Sequence, residues 1–323
     1  MHPTRSWLLP VIVTLLAACS DDAVMGSSGP GGAGGGGSGT TSGSTTSSVT
    51  GASSTASTGS AATGGGGGGG EAPTDLTLLT WNVEDFPKSV TTVETVATVI
   101  GDLQPDIVGM EEIGSDAAWQ ALDDALVDYA SFIADSGDGF VRVGMMYRTS
   151  RVAVSDVRTL FEDDSYAFPR PMLAMHVARV DDPSQSFTFG VVHLKAQLDQ
   201  ASADRRRDAC IKLDEWVMAE QATGIDDDIV IAGDFNDELT DPPQWNVFGP
   251  LLTAPDGGFL TLELEEGGGY TYIPFTSFID HVLVRGPALG VASTAAILPL
   301  DEQISGYVDQ VSDHRPVLAT LRF

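Results

Sequence analysis

Apolar and polar positions follow two periods along this chain, and the switches between them mark out strands and helices. Leu76 to Trp81 is an apolar run of strand length that stops at Asn82. Val90, Val93, Ala97, Ile100 and Leu103 then recur at helical spacing as far as Gln104-Pro105, which closes the helix. Asp106 to Met110 follows as a buried strand that runs into Glu111-Glu112. Ala117 to Tyr129 reads as a second helix, capped by Ser115. Val141 to Tyr147 and Val152 to Val157 read as one pair of strands, Met172 to Val180 and Ser186 to Leu194 as another. Asp199 to Ala222 is a long helix. Asp228 to Gly233 is a strand that delivers Asp234-Phe235-Asn236, and Phe278 to Val284 and Val317 to Leu321 complete the set.

Paired strands with helices between them suit two packed sheets flanked by helices better than a single parallel sheet. The strand ends carry the chemistry. Asn82, Glu112, His193, Asp234, Asp280 and His314 each stand at or beside one of them, and ligands of α/β sheets gather beyond such ends. One polar strand end is a turn signal; six are not. Taken alone, Asp313-His314 reads as a polar turn into the last strand, with Pro316 where a strand tolerates proline.

The first seventy residues have no such pattern. Residues 1–18 carry Arg5, an apolar core from Trp7 to Leu16 and small residues before Cys19, which is a secretory signal too short to span a bilayer. Leu16-Ala17-Ala18-Cys19 resembles a bacterial lipobox, which implies a lipidated Cys19 that tethers the chain to a lipid bilayer. The alternative is an ordinary signal cut after Ala18, leaving a free thiol. Residues 19–70 are dominated by Gly, Ser, Thr and Ala and bury nothing, so they form a flexible linker with a reach of roughly 35–40 Å. Residues 71–323 then form one domain. Ser20 lacks the Asp that signals inner-membrane retention in some bacteria, so the expected place is the cell envelope: outer membrane, facing the periplasm or the surface.

Charge narrows the partners. The chain carries 45 acidic and 16 basic residues, net −29. Setting aside Arg5, Asp21 and Asp22 leaves the domain at 43 against 15. Such a surface keeps a protein soluble and repels polyanions, which excludes avid, sequence-independent DNA binding. Arg205-Arg206-Arg207 is the one local basic run, and an exposed helix face accounts for it. With Cys19 lipidated, Cys210 is the only other cysteine, so the domain has no internal disulfide; in its apolar helical setting it reads as a small buried side chain.

Trp81-Asn82-Val83, Asp106 to Glu112, Val192-His193-Leu194-Lys195, Gly233 to Asn236, Ile279-Asp280-His281 and Ser312-Asp313-His314 together resemble the endonuclease/exonuclease/phosphatase superfamily, in that family's order, across nearly all of Leu76 to Phe323. The resemblance implies a four-layer α/β/β/α sandwich of two packed mixed sheets, and Mg²⁺-dependent cleavage of phosphoester bonds, with Mn²⁺ as a possible substitute. It implies Asn82, Glu112 and Asp313 at the metal, with Glu112 the direct ligand. Asp234 would orient or deprotonate the attacking water, with Asn236 as its companion. His193 would contact the phosphate, and Asp280 and His314 would stand as a pair at the scissile bond. Arg170 resembles a phosphate-contacting arginine, and Lys195 could steer the same anion.

The residue types make sense without the family. A phosphodiester resists attack until a cation neutralises it, a carboxylate positions water, and an imidazolium stabilises developing charge. Departures matter too. Glu111 stands where the family usually has Gln, Glu84 falls where repair nucleases often carry a second acid, and His281 occupies a variable position. The glutamate that supports the first histidine of pancreatic-type DNases has no counterpart near Val141. We therefore expect a monomeric, exported, membrane-tethered phosphodiesterase, a nuclease first, with weakly bound nucleic acid as the favoured substrate. A phosphomonoesterase or phospholipase C-like enzyme comes next, and an inactive display domain last.

Overall fold

In a computed structural model the described residues are 75–135, 141–287, 289 and 292–323. The signal, Cys19 and the linker lie outside them. Twelve strands and six helices are described. The chain opens with β1 (Leu76–Phe86), α1 (Thr92–Leu103), β2 (Ile107–Ile113) and α2 (Asp116–Ala125). Then come β3 (Tyr129–Ile133), β4 (Arg142–Arg148), β5 (Val152–Leu160), β6 (Met172–Arg179) and β7 (Ser186–His193). The long helix α3 (Gln200–Thr223) leads to β8 (Ile229–Asp234), α4 (Pro250–Thr253), β9 (Gly257–Phe259) and α5 (Leu262–Glu266). Finally β10 (Asp280–Arg285), β11 (Thr294–Ile297), a 3₁₀ turn (Leu300–Glu302), α6 (Tyr307–Gln310) and β12 (Val317–Leu321) close the chain.

The strands form two six-stranded mixed sheets, ordered β11-β12-β1-β2-β4-β3 and β5-β6-β7-β8-β10-β9. In each sheet one parallel pair sits at the centre, β1 with β2 and β7 with β8, joined through α1 and α3. Three apolar clusters glue four layers. Leu78, Met145, Phe189, Val191 and Val282 pack between the sheets. Trp81, Val96, Ile100 and Trp119 pack α1 and α2 on the first sheet, and Cys210, Leu213, Val217 and Ile231 pack α3 on the second. This is the α/β/β/α sandwich that the resemblance implies.

Several local expectations fail for physical reasons. β4 and β5 do not pair: the turn at Arg148-Thr149-Ser150 carries the chain from one sheet to the other, where β5 meets β6. α2 ends at Ala125, and Tyr129 opens β3, whose five residues are all half-buried and so show no alternation. α1 begins at Thr92, because Val90 is fully exposed and off the core face. The short β9 and β11 carry no sequence signal of their own. Arg206 is no surface residue; it is buried on Asp237 and on the carbonyls of Lys195 and Gln197.

Candidate active site

Asn82 on β1, Glu112 on β2, His193 on β7, Asp234 on β8 and Asp280 on β10 all come to the same end of the sandwich, and the turn before β12 adds Asp313 and His314. Local sequence fixes how they present. Gly233 has φ +141° and a Cβ there would lie 2.0 Å from Val192 O, so only glycine lets β8 deliver Asp234 beside His193. Glu112 and Asn236 have positive φ, which turns their side chains out of the strand run and toward the cavity. The cavity is about 610 Å³, and its walls include Glu84, Glu112, His193, Asp234, Asn236, Tyr272, Asp313 and His314.

A continuous set of polar contacts crosses from one sheet to the other. Asn82 Nδ2 donates to Asp234 Oδ2 at 3.0 Å and to Glu112 Oε1 at 3.3 Å. Its Oδ1 is taken by the Glu84 amide at 3.0 Å. Asn82, fully buried behind the cavity, thus turns its nitrogen to two carboxylates and aligns them rather than meeting the metal as the resemblance implied. His193 Nε2 lies 3.8 Å from Glu112 and 3.5 Å from Asp234. His314 Nε2 lies 4.0 Å from Asp234 and 3.7 Å from Asp313, while its Nδ1 meets Asp280 Oδ2 at 2.8 Å. Ser312 Oγ donates to Asn82 O at 2.6 Å and accepts from the His314 amide at 2.9 Å. Tyr307 donates its hydroxyl to His314 O at 2.5 Å.

Burial and neighbours divide the roles. Burial, followed by the Asp280 carboxylate, pushes Asp234 up to about 7 against the pull of His314 and Asn82. That is where a general base works best. Burial alone would lower the His314 imidazole, but Asp280 at hydrogen-bond distance, then Asp234 and Asp313, raise it to about 10. His314 is therefore an imidazolium at neutral pH. His193 is the opposite case: burial, then Arg170 and His314, hold it well below the usual range, and it is neutral. Its Nδ1 is buried with no partner among the described residues, consistent with the missing supporting glutamate.

Glu112 and Asp313 both line the cavity and would be the residues to hold a divalent cation. The donors there are oxygens, as Mg²⁺ prefers, and Asp313 is pushed up to about 6 by burial and by crowding from Glu84, whose carboxylate accepts the Asp313 amide at 2.8 Å. A cation relieves that crowding. Asp234, Asp280 and His314 also offer atoms within 4.8 Å of one another. With both ring nitrogens protonated, His314 has no lone pair to offer a cation, so the donors available are carboxylate oxygens. A metal held there supplies charge neutralisation to a phosphoryl group.

The remaining expected residues fall around this centre. Arg170 donates to Leu194 O at 3.1 Å, the carbonyl that Asn236 Nδ2 also reaches at 3.2 Å, which places it at the rim. Lys195 turns to Ala196 O at 2.7 Å. Glu111 is fully buried, accepts from Thr80, and is raised well above the usual range by burial, then Asp280 and Asp234; it is a neutral acid in shape and charge close to Gln. His281 is structural. Asp237 O can only accept, so Nε2 carries the proton at 3.0 Å and Nδ1 faces Thr261 Oγ1 at 3.0 Å, and burial pushes the ring down to about 4.

Sequence reasoning missed two supports. Tyr272 packs its ring 4.9 Å from His314, and buried Thr271 accepts the amides of Ile279 and Asp280 through Oγ1. The signal was present as Tyr270-Thr271-Tyr272 just after a glycine run, but no spacing rule ties it to Asp280.

The family model for the Endonuclease/Exonuclease/phosphatase family matches residues 79–314. The chain belongs to this family, whose members are hydrolases acting on phosphoester bonds. No curated protein matches. Among solved structures, D. rerio TDP2 complexed with single strand DNA product superposes with a TM-score of 0.59 at 19% identity, over 78% of this chain and 100% of that one. The human Nocturnin catalytic domain with bound sulfate gives 0.60 at 16%, over 77% and 93%. A mannosyl-6-phosphatase from Bacteroides thetaiotaomicron gives 0.57 at 17%, over 77% and 100%. These likenesses show the fold.

Proposed function

We propose that the chain is an exported, Mg²⁺-dependent phosphodiesterase, a nuclease by preference, tethered through Cys19. The observation that carries this is the pairing across one cavity of a carboxylate raised to about 7, Asp234, with a protonated imidazole, His314. Asp234 takes the proton of the attacking water and His314 stabilises the phosphoryl oxygens or the departing alkoxide. Asn236 and neutral His193 donate to the phosphate, and Asn82 keeps Glu112 and Asp234 aligned. Glu112 and Asp313 would hold Mg²⁺, with Mn²⁺ as a substitute, whose charge would neutralise the phosphoryl group. The DNA-bound relative supports nucleic acid as the substrate; the mannosyl-6-phosphatase supports a phosphomonoesterase as the second reading. The tether points to the outer membrane, and the protein acts as a monomer.

The purified chain is assayed with Mg²⁺, Mn²⁺ or EDTA against single- and double-stranded DNA, RNA, sphingomyelin, inositol phosphates and sugar phosphates. Metal-dependent cleavage of a phosphodiester, abolished in His314→Ala, is expected. No turnover of any of them sinks the enzyme reading, and undiminished turnover by His314→Ala sinks the site. Radiolabelled palmitate incorporated into the wild type but not into Cys19→Ala tests the tether, and equal labelling rules it out.

A further inference from the structure

The domain holds 15 Lys and Arg side chains, and all but three of them form ion pairs with carboxylates. Among the described residues the exceptions are Arg170, Lys195 and Arg205, whose hydrogen bonds go only to backbone carbonyls, Arg205 also lying over the Tyr166 ring, 5.4 Å from its centroid. Arg170 holds Leu194 O at 3.1 Å, Lys195 holds Ala196 O at 2.7 Å, and Arg205 holds Tyr166 O and Ser165 O at 2.5 and 2.7 Å. With 43 carboxylates available to the domain, a cation without one is unusual.

The three lie together. Arg170 and Asn236 share Leu194 O, and Lys195 is the next residue. Arg206 grips Lys195 O at 2.8 Å, and its neighbour Arg205 reaches the 165–166 segment that leads into Arg170. Burial lowers both Arg170 and Lys195; the Glu112 and Asp234 carboxylates pull Arg170 back up against repulsion from Arg205, and Arg205 and Arg170 repel Lys195 with only Asp199 opposing them. Like charges gathered with no carboxylate in direct contact gain from an anion that joins them. Each guanidinium has five N–H donors and has spent at most two here, and the remainder match phosphate oxygens.

We propose that Arg170, Lys195 and Arg205 form a second anion subsite beside the scissile-phosphate site, taking one further phosphate of the substrate. The proposal rests on the phosphodiesterase reading above. It makes the preferred substrate a short ester with one phosphate next to the bond that breaks. Long polyanions gain nothing more, because the other cations are spent and the surface is acidic.

The test uses the Mg²⁺-loaded full chain with the thymidine dinucleotide TpT, its 5′- and 3′-phosphorylated forms, and a longer oligothymidylate. One phosphorylated form exceeds TpT in kcat/KM by about tenfold, through KM, and greater length adds no gain per bond. Arg205→Gln abolishes most of that preference, Arg205→Lys keeps most of it, and Arg207→Ala, which frees Asp204 from its pair, retains it. Turnover without preference, a preference that survives Arg205→Gln, or a steady gain with length overturns the subsite. Calorimetry on the metal-free chain decides it even if nothing is turned over. Thymidine 3′,5′-bisphosphate should bind about tenfold tighter than thymidine 5′-phosphate, and equal affinities refute the subsite.

Discussion

Asp280→Asn removes the charge that keeps His314 protonated while leaving the shape of the pair nearly unaltered. The Nδ1–Oδ2 contact is 2.8 Å between two buried groups, so little water screens it. Burial drives the ring toward neutrality, and it stands at about 10 because Asp280, then Asp234 and Asp313, outweigh that cost. With an amide at 280 only Asp234 and Asp313 remain to oppose burial, so the ring falls from about 10 toward the ordinary imidazole range. At the limit of a full return to about 6.5, the protonated fraction at pH 8 drops from nearly all to about 3%, so a step that needs the imidazolium slows by up to about thirtyfold. The assay is kcat/KM on a dinucleotide across pH 5 to 10 at saturating Mg²⁺, where the variant's alkaline limb should move several pH units lower. Stability supplies a second readout. A folded pKa above the unfolded one means the native state binds the extra proton, so this contribution is complete below about 6.5 and is lost as pH rises through about 10. Denaturant titrations in EDTA should show that decline in the wild type and not in Asp280→Asn. A variant whose alkaline limb stays in place refutes the pairing as the source of the imidazolium.

Three further outcomes follow from the same geometry. Glu111→Gln should keep both fold and turnover within about twofold, since the buried acid is already neutral, whereas a tenfold loss of kcat would show that its carboxyl chemistry matters. Glu112→Gln should raise the Mg²⁺ concentration for half-maximal rate by about tenfold or more, and chelation should abolish turnover reversibly in the wild type; an unchanged Mg²⁺ dependence removes Glu112 from the metal. His281→Ala should cost about 2–4 kcal/mol in denaturant titrations, because it empties a cage of Phe235, Phe248, Phe259 and Phe278 and orphans Asp237 O and Thr261. A loss under 1 kcal/mol would contradict that packing.

The site was more legible than the strand pairing. Polar residues at strand ends announce themselves because an apolar run stops abruptly, as at Trp81-Asn82 and Gly233-Asp234. Nothing local says which sheet a strand joins, so β4 and β5 looked like neighbours when the chain was changing layers between them. Half-buried β3 hid for want of alternation. Electrostatic roles were partly readable: the pairing of Asp280 with His314 followed from residue type and family order. The neutrality of Glu111, the inward turn of Arg206 and the orientation of Asn82 depend on what surrounds each side chain in three dimensions, which spacing along a chain does not encode.

The contacts at the centre of the site run between the two ends of the polypeptide. β1 pairs with β12, and Ser312 fastens Asn82 from 230 positions away. A polypeptide that extends only as far as Asp280 holds Asn82, Glu112, Asp234 and Asp280 but lacks His314. Completion waits for residue 314 and for β12 behind it, whose pairing with β1 brings Ser312 to Asn82. A polypeptide cut before residue 311 therefore loses the imidazole and the hydroxyl that fastens Asn82 in one stroke, whatever remains of the two sheets.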